Sequence, residues 1–232
     1  VSTVLLIRHG RTTANTDGIL AGRAPKVGLD ELGRTQARRL AARLIGIQLS
    51  AVVCGPLQRC RETADLLVRD RRAPKITVDH RLTECDYGDW TGRRLRELSR
   101  RRLWRVMQSH PSAVTFPGGE SMRGVQVRAV NAIREHDARV AEAAGPRAVW
   151  AAVSHGDVIK AVVADALGLH LDLFQRLLVD PGSITVLTYT ELSPLVVRMN
   201  DTGGDPSELY GTPHGSGTAA RHAMIGGGAG WS

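Results

Sequence analysis

Two histidines in this chain sit where reactive side chains are commonly displayed, each at the end of a short apolar run. Val4-Leu5-Leu6-Ile7 leads into Arg8-His9-Gly10, and Ala148 to Val153 leads into Ser154-His155-Gly156. An apolar run too short for a helix reads as a fully buried strand, and open α/β sheets receive ligands at the carboxyl ends of their strands. Gly10 lets the backbone turn sharply and leaves room for something to approach. A third run, Ala51 to Cys54, stops at Gly55-Pro56, and the stretch Leu57-Gln58-Arg59 then opens a helix. Unpaired N–H groups at a helix start favour anions, so Arg59 is well placed for a phosphate. The stretch Leu82 to Gly92 adds a carboxylate-rich loop with Glu84, Asp86 and Asp89. Each residue also has a plainer reading: a satisfied core histidine, a structural ion-pair partner, a solvated acid. Residue types alone leave the choice among the three carboxylates open.

The elements that must position these groups alternate. Strand 4–7 is followed by a polar loop, Thr13 to Gly28, and by a helix with Asp30 as its N-cap and Leu32, Ala37, Leu40, Ala41 and Leu44 at helical spacing. Strand 51–54, a helix over 57–69 and a short strand Ile76-Thr77-Val78 come next. The alternation predicts a doubly wound, mostly parallel α/β sheet flanked by helices. The spacing then predicts a basic helix from Leu95 to His110 and a long helix from Met122 to Ala144. The region from about 85 to 145 is read as a helical insertion over the carboxyl edge of the sheet. Strand 148–153, a helix over 157–167 and a strand pair around Ser193-Pro194 complete a single domain over 1–202. The Gly-rich stretch 203–232 reads as a disordered tail. Asp157 is expected as a helix cap, Cys54 as a small core residue, and Trp90, Trp104 and Trp150 as packing groups.

Composition narrows the function classes. Hydrophobic content of 42% with 23% charged residues is that of an ordinary globular chain. No apolar run approaches membrane-spanning length, and the first strand leaves no room for a leader, so the cytoplasm is the expected compartment. Three cysteines without a C-x-x-C spacing argue against a disulfide framework and against a zinc site. The net charge of +8 invites a nucleic-acid reading. Against it, the arginines are scattered, aromatics are only 4%, and no nucleic-acid-binding motif is present. A phosphorylated small substrate explains part of the excess equally well, since arginine forks match phosphate geometry.

Taken in order, Arg8-His9-Gly10, Leu57 to Thr63 with Arg59, Glu84 with Tyr87-Gly88, and Ser154-His155-Gly156 resemble the histidine phosphatase superfamily, in its phosphoglycerate mutase-like branch. Leu29, Gly33, Gln36 and Ala37 match the same pattern, and the resemblance covers nearly everything before the tail. It implies that His9 takes the phosphoryl group as phosphohistidine, and that Arg8, Arg59 and His155 surround the phosphate with Asn15 in the same pocket. Ala21, Gly22, Tyr87 and Gly156 are implied on the substrate side, and Glu84 is the implied acid and then base. No metal and no cofactor are implied, because arginines and a protonated His155 suffice for the phosphate charge. Attack requires a neutral His9, and Glu84 must be protonated when the ester breaks.

Arg11 departs from the family pattern, which usually has glutamate there; it is expected either to add positive charge beside the pocket or to be merely solvated. The Tyr-Gly-Asp-Trp-Thr-Gly segment looks more like the phosphatases than the mutases. The expected function is therefore hydrolysis of a small phosphorylated metabolite. The alternatives are a bisphosphoglycerate-primed mutase and a non-catalytic basic binding protein on the same fold. A homodimer is left open.

Overall fold

The computed structural model describes residues 2–204. The expected tail, 203–232, lies outside the described residues except for its first two.

Alternation along β1 (Ser2–Arg8) sets the layers. Leu5 and Ile7 pack on one face of the sheet with Leu40, Leu44, Ala64 and Leu67, which come from α2 (Glu31–Arg43) and α3 (Gln58–Val68) and their flanks. Val4 and Leu6 pack on the other face with Val125, Ala129 and Ile133 of α6 (Met122–Ala144) and Val158 and Val162 of α7 (Gly156–Ala166). With both faces covered, the strands read as continuous apolar runs, as parallel sheets do. The two-residue period of a strand assigns each side chain to its layer.

The six strands run in the order β3-β2-β4-β1-β5-β6. Here β2 is Leu49–Cys54, β3 Ile76–Val78, β4 Val149–Ser154, β5 Ile184–Tyr189 and β6 Pro194–Asp201. β1, β2, β3 and β4 are mutually parallel, while β5 and β6 add an antiparallel edge. This is the mostly parallel, helix-flanked sheet that the alternation predicts. Asp30 caps α2 as expected, its Oδ1 accepting from Gly33 N at 2.7 Å.

Four local expectations need correction. The loop after β1 contains a short helix, α1 (Thr13–Thr16), closed at its start by a reciprocal Thr12–Asn15 cap; four residues with Ala14 as their one apolar side chain carry no periodicity to reveal it. The basic helix over 95–110 is two helices, α4 (Leu95–Leu98) and α5 (Arg102–Ser109). The break follows Ser99, whose hydroxyl donates to Arg96 O at 3.0 Å and offers the backbone an alternative to continuing the helix. The chain turns there so that Leu98 and Met107 are both buried. The expected insertion over 85–145 divides. The segment up to Ser121 is short helices and loops, whereas α6 is one long helix whose apolar face packs in the core against the sheet. Finally, the cap of α7 is His155 rather than Asp157, because the helix begins one residue earlier, at Gly156.

Candidate active site

β1 and β4 are adjacent and parallel, with Arg8 opposite Ser154, so the two histidines that follow them emerge side by side. His9 N donates to Ser154 O at 3.0 Å, and the His9 and His155 rings meet edge to face with centroids 5.1 Å apart. β2 flanks β4 on its other side, so the start of α3 faces the same edge. Thr63 ties that helix to the histidine loop. Its hydroxyl donates to Arg59 O at 2.7 Å and accepts from Gly10 N at 3.2 Å.

The geometry around His9 defines its proton. Nδ1 is 2.7 Å from Gly10 O, which assigns an N–H there. Nε2 accepts from Arg59 Nε at 3.2 Å. Burial, reinforced by the positive charges of Arg59 and Arg8, holds the imidazole well below its usual pKa. His9 is therefore neutral, with its Nε2 lone pair directed at the Arg59 side of the site. Arg59 also donates through Nη2 to Gly22 O at 2.8 Å, and its Nη1 is buried with no hydrogen-bond partner among the described residues. Arg8 is wholly enclosed and donates through Nη1 to Val179 O at 2.7 Å; burial lowers its pKa to about 10.

Glu84 is 3% exposed and shares a small cavity with His9, Thr12, Asn15, Ala21, Gly22 and Arg59, closed by the apolar Ile19, Leu20 and Leu95. Its Oε1 accepts from Cys85 N at 2.9 Å, and its Oε2 is 3.7 Å from His155 Nδ1. Burial, with the negative charge of Asp157 adding to it, raises the Glu84 pKa to about 7, against the pull of Arg59 and Arg8. A carboxyl poised near neutrality across a cavity from a neutral imidazole suits proton transfer at pH 7.

A scan against family models matches residues 4–202 to the histidine phosphatase superfamily, branch 1. The chain belongs to this superfamily. Among curated relatives, it is 27% identical over 205 residues to phosphoserine phosphatase 1 of Hydrogenobacter thermophilus, covering 86% of this chain and 92% of that one. It is 28% identical over 211 residues to 2-carboxy-D-arabinitol-1-phosphatase of Triticum aestivum, covering 88% of this chain but 41% of the relative. The chain spans only 41% to 54% of the length of the first curated relatives it matches. Among solved structures, a mycobacterial glucosyl-3-phosphoglycerate phosphatase in complex with VO3 superposes with a TM-score of 0.78 at 27% identity, covering 87% of this chain and all (100%) of that one.

Within this histidine phosphatase fold the expected site residues divide by position. His9, Asn15, Ala21, Gly22, Arg59 and Glu84 line the cavity; Arg8, His155, Tyr87 and Gly156 do not. Asn15 is half-buried there, its Oδ1 accepting from Thr12 N and Thr12 Oγ1. Arg8 and His155 are fully enclosed. Tyr87, expected on the substrate side, is instead a buried strut: its ring packs against Phe116 at 5.0 Å and its hydroxyl donates to Asp157 Oδ2 at 2.7 Å. Gly156 is the buried first residue of α7. Burial first, then Arg59, His9, Arg128 and Arg8, hold the His155 pKa well below its usual value. Arg11 neither charges the pocket nor is merely solvated: its Nε pairs with Asp30 Oδ2 at 2.7 Å, beside the start of α2.

Other participants carried no sequence signal. Thr12 and Leu95 line the cavity, and Cys60 Sγ lies 3.3 Å from His155 Nε2. Asp157 is fully buried near Lys160, with Nζ 3.9 Å from Oδ1. Among the described residues no group of three or more His, Cys, Asp or Glu is arranged to hold a metal. No described helix is long and apolar enough to cross a membrane.

Proposed function

We propose that the chain is a phosphomonoesterase that hydrolyses a small phosphorylated metabolite through a phosphohistidine on His9. The observation that carries this reading is the state of His9, which is buried, neutral and protonated on Nδ1 toward Gly10 O. Its Nε2 is held by Arg59 in a cavity that also presents Glu84. The phosphatase names of similar proteins support the reaction class. They name different substrates, so the metabolite itself stays unassigned.

The steps follow from these groups. Nε2 attacks phosphorus and the P–O bond to the leaving group breaks, with the Glu84 carboxyl giving its proton to the departing oxygen. Arg59, Arg8 and His155 draw the charge of the equatorial oxygens, the work on which phosphoryl transfer depends. The charge of a bound dianion opposes the burial and the neighbouring arginines that hold the His155 pKa down, so His155 takes up a proton as the phosphate arrives. Water then attacks the phosphohistidine while the Glu84 carboxylate accepts its proton. The P–N bond breaks, which regenerates neutral His9 and releases inorganic phosphate. Three buried free thiols, Cys54, Cys60 and Cys85, fit a reducing, cytoplasmic setting.

The test is quenching in base after mixing with a phosphorus-labelled aryl phosphate, followed by an acid-stability comparison of the labelled protein. Label is expected in the wild-type protein as base-stable, acid-labile phosphohistidine and absent from His9→Ala. Steady turnover by a clean His9→Ala preparation would refute the mechanism.

A further inference from the structure

The Glu84 loop is held by a partly buried ionic cluster whose centre is one carboxylate oxygen. Glu120 Oε1 accepts from Arg23 Nη2 at 2.7 Å, from Arg128 Nη2 at 2.7 Å and from Asp86 N at 2.8 Å, while Oε2 accepts from Arg128 Nε at 3.0 Å. Both guanidinium groups continue to the same target. Arg23 Nε donates to Glu84 O at 2.9 Å and Arg128 Nη2 to the same carbonyl at 3.1 Å. Arg128 Nη1 adds Arg81 O at 2.6 Å and Thr83 O at 2.8 Å, so one side chain of α6 grips three carbonyls of the 81–84 stretch that carries the acid. Burial opposes the Glu120 charge, but Arg128, the Asp86 N–H and Arg23 outweigh it and keep the carboxyl ionised below its usual range.

The cluster joins two walls of the cavity. Arg23 follows Gly22, whose carbonyl accepts from Arg59, and Gly22 and Glu84 both line the cavity. The loop backbone is also sewn to the segment before α6: Glu120 N donates to Asp86 O and Asp89 N to Pro117 O, each at 2.9 Å. A Cβ on Gly119 would lie 2.2 Å from Asp86 O, so no side chain fits between the two strands of chain. None of these cluster side chains lines the cavity, and only backbone atoms of Glu84 are gripped.

We propose that Arg23, Glu120 and Arg128 form a positioning clamp that sets where the Glu84 carboxyl stands relative to His9. The clamp acts through Glu84 and through no contact with substrate. The inference rests on the phosphatase reading for its kinetic consequence, but not for its structural one. A carboxyl that must reach the departing oxygen gains most of its efficiency from placement, and a displacement near 1 Å costs about 100-fold. Charge-assisted, forked contacts to backbone carbonyls are suited to such placement.

The experiment is a double-mutant cycle. Arg23→Met removes the Glu84 carbonyl contact and one ligand of Glu120 at a half-exposed position, and Glu120→Gln weakens both forks while keeping the side chain's shape. Thermal melts identify variants that fold. In folded protein, each is expected to lower kcat on an alkyl phosphate about 10- to 100-fold with little change in KM. Neither is expected to lower it further in a Glu84→Gln background. Independently of turnover, the carboxyl resonance of Glu84 in labelled protein, assigned by its loss in Glu84→Gln, is expected to titrate at lower pH in Arg23→Met, because a loosened loop relieves the burial that raises its pKa, whereas loss of the Arg23 charge alone would move it upward. Equal losses with and without Glu84, or an unmoved Glu84 titration, would overturn the clamp. Absence of phosphohistidine in the wild type would overturn the reaction instead, with the titration still deciding the clamp.

Discussion

The helix residue Gly33 presses against the backbone of Arg11, so closely that a Cβ there would lie 2.0 Å from Arg11 O. Gly10 makes the reciprocal approach, since its Cβ would lie 2.4 Å from Gly33 O. The turn that follows His9 is thus seated directly on the first turn of α2.

Gly33→Ala tests that seat. Helix propensity favours alanine by up to about 1 kcal/mol. The overlap is with backbone that cannot swing aside, and overpacking of this kind costs about 1–3 kcal/mol. The expected outcome is a lower melting temperature together with reduced activity, because relief of the clash displaces the His9 loop. Thermal melts beside single-turnover rates check it; a stabilised, fully active variant would contradict the packing argument.

Glu84, with its pKa raised to about 7 by burial and by Asp157, must be protonated for the first step. The rate of phosphoryl transfer from an alkyl phosphate is therefore expected to be level below pH 7 and to fall as pH rises through it. His9 is already neutral across that range because its own pKa is depressed by burial, Arg59 and Arg8. No fall on the acid side is expected until well below the ordinary histidine range. Single-turnover rates against pH measure both limbs. An acid limb centred at 6 to 7 would show that a histidine, rather than Glu84, governs this step.

Leaving-group dependence separates Glu84 from its neighbours. Glu84→Gln is expected to slow transfer from an alkyl phosphate by about 10²–10⁴-fold. Transfer from a nitrophenyl phosphate should suffer far less, because that anion departs without a proton. Asp86, paired with Arg23 at 3.4 Å and outside the cavity lining, should show no such dependence when changed to Asn. Pre-steady-state rates on both substrates decide the matter, and a reversed pattern would name Asp86 as the acid.

Asp79 concerns stability alone. Its carboxylate accepts from Arg81 N at 2.8 Å, from Arg81 Nη2 at 2.7 Å and pairs with His136 Nε2 at 2.8 Å, joining the loop before Glu84 to α6. Burial works against its charge, but these partners outweigh it and lower its pKa below the ordinary value. A depressed folded pKa gives stability that is present above the unfolded value, about 3.9, and lost as pH falls through the folded one. Asp79→Ala is expected to cost about 1–3 kcal/mol at pH 7, and the difference from wild type should shrink steadily below pH 4. Denaturant melts at several pH values measure this; a constant difference down to pH 2 would exclude the ionic account.

The linear sequence was sufficient for the strands and for the groups at their ends. Both are local: a short apolar run bounded by Arg8-His9-Gly10 or Ser154-His155-Gly156 carries its own punctuation, and Asp30 before an apolar period announces a cap. The family resemblance implies that His9 and His155 share one phosphate, and the strand order supplies the physical reason by placing β4 beside β1 although most of the chain separates them. Tertiary structure alone decided protonation and role. Burial among arginines holds the His155 pKa down, and Tyr87 props Asp157 instead of facing the cavity because its hydroxyl meets a buried carboxylate. Arg11 is spent on Asp30, and the clamp of Arg23, Glu120 and Arg128 joins three separate segments. Each of these depends on distance through space and on exclusion of water, and residue type and spacing along the chain encode neither.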